Sequence, residues 1–120
     1  MLPDFTPTEQ VSELTRTDLV VGTGAEAGAH DTVTVHYTGA LAASGHVFQS
    51  SRDFGKPISF GLDQVIKGWG EGVPGMKVGG KRRLLIPAAL AYGSTPPYGS
   101  GIPADANLVF DIELLAVKSA

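Results

Sequence analysis

The sequence predicts a mainly β domain closed around one short helix, an α+β fold. Two observations carry this reading. The 16 glycines and 8 prolines cut 120 residues into short apolar segments. Few windows hold a helical period for about ten residues, whereas several alternate with the period of two that a half-buried strand requires. With 42% hydrophobic residues, a chain of this length forms one globular core that buries roughly 65% of its unfolded surface.

Residues 1–13 carry two prolines and little apolar periodicity, and are expected to form a flexible N-terminal extension ahead of a single domain over 14–120. Strands are predicted at 17–21, 32–38, 47–51, 58–62, 81–86 and 108–114. In 32–38, Val33, Val35 and Tyr37 share one face, with Thr34, His36 and Thr38 on the other; in 108–114, Leu108, Phe110, Ile112 and Leu114 point inward. Gly22-Thr23-Gly24 and Gly39 read as turns. One helix is predicted over 65–73, with Val65, Ile66 and Trp69 at helical spacing. Its glycines Gly68, Gly70 and Gly72 cost roughly 1 kcal/mol each against alanine, so packing, anchored by Trp69, must hold it. Residues 94–103 form a long loop, the type of element that often carries binding function.

Charge and composition remove several function classes. Nine Lys+Arg against twelve Asp+Glu give a net charge of −3, the wrong sign for a nucleic-acid footprint. The basic run Lys81-Arg82-Arg83 reads as the solvated end of a strand. Without cysteine there is no disulfide, thiolate nucleophile or cysteine metal site. The N-terminus has no basic segment and no signal-like apolar core, and the longest apolar run, 84–92, is far short of the ~20 residues of a membrane helix. The expectation is a cytoplasmic monomer with no membrane or nucleic-acid partner.

Motifs suggestive of catalysis fail on context. Gly70-Glu71-Gly72-Val73-Pro74-Gly75 matches the dinucleotide pattern G-x-G-x-x-G, but its glycines lie within and after the predicted helix and a strand follows. Residues 75–82 approach a phosphate loop, with Arg82 in place of the magnesium-binding hydroxyl. His30, His36 and His46 lack the spacing of a zinc site, and Ser50 and Ser51 lack a nucleophile elbow. Neither metal nor cofactor is expected.

The aromatics are the feature left over. Tyr37, Phe48, Phe60, Trp69, Tyr92, Tyr98 and Phe110 fall on separate elements. Together they can line a concave apolar pocket with tyrosine hydroxyls as polar handles. The segments VTVHYTGAL (33–41), VFQSSRDFGKP (47–57), QVIKGWGEGVPGMKVGGKRRLLIP (64–87), LAYG (90–93) and IPADANLVFDIELL (102–115) resemble, in order and spacing, the FKBP-type peptidyl-prolyl cis–trans isomerases. That resemblance implies an FKBP-like curved antiparallel sheet wrapped around one short helix. The site would lie between helix and sheet.

The resemblance assigns Trp69 to the pocket floor, Tyr37, Phe48 and Phe110 to its aromatic walls, and Tyr92 to a hydroxyl that donates to a ligand carbonyl. Val65 and Ile66 match the aliphatic rim, with the Ile66 N–H as donor, and Ile102 matches the apolar residue of the flap. Phe60 follows the shorter spacing of some bacterial members, and Ile58 stands where many relatives have an aromatic. Gln49 and Phe54 replace an aspartate and a basic residue usual in the family, and Tyr98 lies in a variant flap. The implied activity is isomerisation of Xaa-Pro bonds in peptides and unfolded protein clients, with macrolides such as rapamycin and tacrolimus as possible ligands. The competing expectation is a weakly active or inactive proline- or macrolide-binding module.

Overall fold

The computed structural model describes residues 2–119; Met1 and Ala120, the outer ends of the expected extension and domain, lie outside the described residues. The elements run β1 (Thr15–Val20), β2 (Thr32–Leu41), β3 (Val47–Ser50), a 3-10 turn (Ser51–Phe54), β4 (Ile58–Gly61), α1 (Lys67–Gly72), β5 (Lys81–Ile86), a second 3-10 turn (Ala88–Leu90) and β6 (Leu108–Lys118). All strand pairs are antiparallel, in the sheet order β1-β5-β6-β2-β3, with β4 also paired to β2. The result is a curved antiparallel sheet with one short helix in its concavity.

Alternation places the core. Val33, Val35, Leu84, Ile86, Ile112 and Leu114 are at most 1% exposed and face the helix. The helix lies so close that a Cβ on Gly68 would stand 2.5 Å from Ile86 Cγ2, and one on Gly72 2.7 Å from Leu84 Cδ2. Those glycines weaken the helix intrinsically but permit its contact with β5. The helix is correspondingly shorter than the predicted 65–73. Val65 and Ile66 precede it, Ile66 being extended with φ −57° and ψ 150°.

The basic run on β5 corrects the sequence reading. Only Lys81 is solvated; Arg82 is buried, with its Nη1 donating to the carbonyls of Gly72 (2.8 Å) and Pro74 (3.1 Å) and its Nε to Asp18 Oδ1 (2.7 Å). It thereby satisfies carbonyls at the end of α1, where a cation is favoured. Arg83 forms a two-pronged pair with Asp111, at 2.6 and 2.8 Å.

Residues 2–10 lie against the domain. Leu2 is 3% exposed and packs with Ala40 and Val109 on the convex face. Its N–H donates to Gly45 O (2.8 Å), and Thr8 N–H to Ala42 O (2.8 Å). Arg83 reaches the carbonyls of Pro3 and Asp4 and lies over the Phe5 ring. Val109 is an apolar residue on the outward side of β6, and Leu2 supplies its cover.

Candidate active site

Gly39, read from sequence as a turn, lies buried inside β2 beside a bulge. A Cβ there would come within 2.7 Å of the Phe110 ring and 2.8 Å of the Phe48 ring. The missing side chain lets two aromatic rings lie over the strand backbone, the role of a glycine at a close approach. Phe110 extends from β6, Phe48 from β3, and the two rings meet edge to face at 5.9 Å.

Trp69 is the hub. It is 4% exposed on α1, and its ring meets Tyr37 at 5.5 Å, Phe60 at 5.4 Å and Phe110 at 5.4 Å, each near perpendicular. Tyr37 also contacts Phe60 at 5.9 Å. Edge-to-face geometry matches positive ring edges to negative ring faces and adds to burial. These rings, with Gln49, Val65, Ile66 and Tyr92, surround one cavity of about 320 Å³. Gln64 also borders it, a residue that sequence reasoning missed because a single polar residue before a helix carries no periodic signal.

The polar groups of the cavity are few. Among the described residues the hydroxyls of Tyr37 and Tyr92 have no protein hydrogen-bond partner, and neither is sealed from the cavity. Among the described residues the Ile66 N–H makes no backbone hydrogen bond, although its carbonyl accepts from Trp69 and Gly70. Burial, and secondarily the neighbouring Tyr92, hold the Tyr37 hydroxyl above the usual tyrosine pKa of 10.0, so it stays neutral.

Tyr37 is fixed from behind. Its N–H donates to the fully buried Ser51 Oγ (2.8 Å), and its carbonyl accepts from Ser50 Oγ and Ser51 Oγ (both 3.3 Å). His36 Nδ1 lies 2.9 Å from the same Ser51 oxygen. A serine so buried and committed to backbone groups is unavailable as a nucleophile.

Two residues expected at the site occupy an adjoining recess. Ile102 and Tyr98 line a second space of about 390 Å³ that shares Phe48, Gln49 and Tyr92 with the first. Tyr98 is fully exposed on the loop. Gln49 is exposed on β3 and, among the described residues, makes no side-chain hydrogen bond, so the Tyr37 hydroxyl is not held by it. Among the described residues no cluster of His, Cys, Asp or Glu is arranged to hold a metal ion.

Comparison with known proteins gives the arrangement its context. Residues 24–115 match the family model described as FKBP-type peptidyl-prolyl cis-trans isomerase. The chain is 58% identical over 92 residues to peptidyl-prolyl cis-trans isomerase FPR2 of Saccharomyces cerevisiae, covering 75% of this chain and 67% of that protein. It is 44% identical over 116 residues to an FK506-binding protein of Streptomyces anulatus, covering 95% and 94%. The crystal structure of FkpA from Escherichia coli superposes with a TM-score of 0.81 at 46% identity, over 89% of this chain and 49% of that one. The chain thus spans about half the length of FkpA.

Proposed function

The chain belongs to the FKBP-type peptidyl-prolyl cis–trans isomerases and is an isomerase of that class, and from this premise we propose how its residues carry the reaction. Rotation about a peptide bond costs ~18–20 kcal/mol because amide resonance is lost, and uncatalysed prolyl isomerisation takes tens to hundreds of seconds. No covalent bond is broken. In the twisted transition state the imide loses its charge-separated resonance form, so its carbonyl is less polar than in either planar state.

A water-poor aromatic cavity stabilises the twisted form relative to the planar ones, and each ~1.4 kcal/mol of that preference is a factor of ten in rate. Trp69, Tyr37, Phe48 and Phe110 hold the proline ring, with Phe60 and Val65 closing the side of the cavity. The Ile66 N–H and the Tyr92 hydroxyl orient the flanking carbonyls. The observation that carries this reading is the aromatic cavity onto which the unpaired Ile66 N–H and the unpaired Tyr37 and Tyr92 hydroxyls open. Gln49, Tyr98 and Ile102 contact the substrate beyond the proline, in the adjoining recess. The same cavity accepts macrolides such as rapamycin and tacrolimus, since it offers one apolar floor and three convergent polar groups.

The test is a protease-free isomerisation assay on an Ala-Leu-Pro-Phe type peptide. The protein accelerates exchange, with kcat/KM flat from about pH 6 to pH 9 because no acid or base takes part. At the alkaline end, Tyr37 with its raised pKa loses its proton later in the folded than in the unfolded chain, so stability falls as the pH rises above 10.0. Exchange no faster than the spontaneous rate, or a bell-shaped profile centred near neutrality, contradicts the reading.

A further inference from the structure

Tyr92 presents its hydroxyl to the cavity from an irregular segment. It follows the 3-10 turn Ala88–Leu90 after Ala91, whose φ of −114° and ψ of −118° turn the chain sharply. A three-residue turn is a marginal element, and its first N–H groups have no partner within it. The residue preceding it, Pro87, supplies no side-chain cap.

The missing acceptor comes from 19 residues away. Asn107 Oδ1 accepts the Ala88 N–H at 3.0 Å. Ala88 O in turn accepts from Ala91 N–H (3.0 Å) and Gly93 N–H (2.9 Å), bracketing Tyr92, while Gly93 O accepts from Asp105 N–H (2.8 Å). Asn107 is itself fixed on both sides. Its carbonyl accepts from Ala42 N–H at the end of β2 (2.9 Å), and its Nδ2 donates to Glu9 O of the N-terminal segment (3.4 Å). It borders a depression with Glu9 and Pro103, and does not line the aromatic cavity.

We propose that Asn107 is a positioning residue for the isomerase reaction: its amide caps the Ala88 turn and so fixes Tyr92, and with it the hydroxyl that orients the substrate carbonyl. This rests on the role given to Tyr92 above. The positioning role needs the side-chain acceptor for Ala88; the longer bond from Nδ2 to Glu9 O is an additional tie to the N-terminal segment. Hydroxyl placement matters because small errors in the geometry of a reacting complex are amplified in rate.

A double-mutant cycle tests it, using kcat/KM in the protease-free assay with melting temperature measured in parallel. Asn107→Ala lowers kcat/KM about fivefold, as for the loss of one neutral hydrogen bond, and does so below the melting transition. Asn107→Asp retains the acceptor for Ala88 and stays within about twofold of wild type. In a Tyr92→Phe background, Asn107→Ala costs less than about twofold, because the group it positions is gone. An equal loss from Asn107→Ala in both backgrounds overturns the positioning role while leaving the pocket intact. So does a loss in Asn107→Asp as large as in Asn107→Ala. Should Tyr92→Phe itself match wild type, the role of Tyr92 falls, and the positioning role with it.

Discussion

Trp69, Tyr37 and Phe110 reach the cavity from a helix and two central strands and are held by aromatic neighbours, whereas Gln49 and Tyr92 border it from an edge strand and a loop, with Tyr98 and Ile102 in the adjoining recess. Trp69 is 4% exposed and Tyr98 fully so. The floor obtains its geometry from the same packing that folds the domain. The rim has little packing to fix it and depends on individual hydrogen bonds, such as those through Asn107. Mutations in the floor should therefore affect stability and catalysis together. Mutations in the rim should affect catalysis alone and by smaller factors.

Trp69→Ala is the largest challenge to that contrast. It removes the ring that joins Tyr37, Phe60 and Phe110, and should cost about 3–5 kcal/mol of stability, as for other buried aromatic truncations, along with most of the activity. Chemical denaturation beside the isomerase assay checks both. Full activity in a destabilised protein would break the link between floor packing and catalysis. Gln49→Asp lies at the other extreme. Gln49 is exposed and, among the described residues, makes no side-chain hydrogen bond, so the charge it gains is screened by solvent and kcat/KM should change by less than about threefold. A tenfold change would show that the rim is governed by charge.

Much of the fold was legible because strands and core obey one periodicity. The alternation in β2 and β6 identified Val33, Val35, Tyr37, Phe110, Ile112 and Leu114 as inward-facing, and they are buried. Three features were not legible. Gly39 has the same letter at a turn or under two aromatic rings, and only the structure shows Phe48 and Phe110 lying on it. Arg82 looked solvated because a charge run is usually a wet surface, but the carbonyls at the end of α1 and Asp18 give it buried partners. The N-terminal segment looked loose because its value lies in covering Val109, an outward residue whose need for cover is not written in its own strand.

The candidate site was readable only through the family resemblance that five segments carry together, since no one aromatic distinguishes a pocket from a core. Ser51 and Asn107 stayed hidden because polar residues that bridge distant backbone groups leave no local pattern. Their partners are set by the tertiary fold: Ser51 lies 14 residues from Tyr37, and Asn107 19 from Ala88.

The central claim is that a desolvating aromatic wall, without acid or base, lowers the barrier to rotation. Phe48 tests it most directly because it is only half-buried, so its truncation spares the fold more than that of Trp69. The measurement is kcat/KM for Phe48→Ala and Phe48→Tyr in the protease-free assay. Phe48→Ala should lose at least about tenfold, equivalent to ~1.4 kcal/mol of transition-state preference, with Phe48→Tyr much closer to wild type. Unchanged isomerisation in Phe48→Ala would contradict the account.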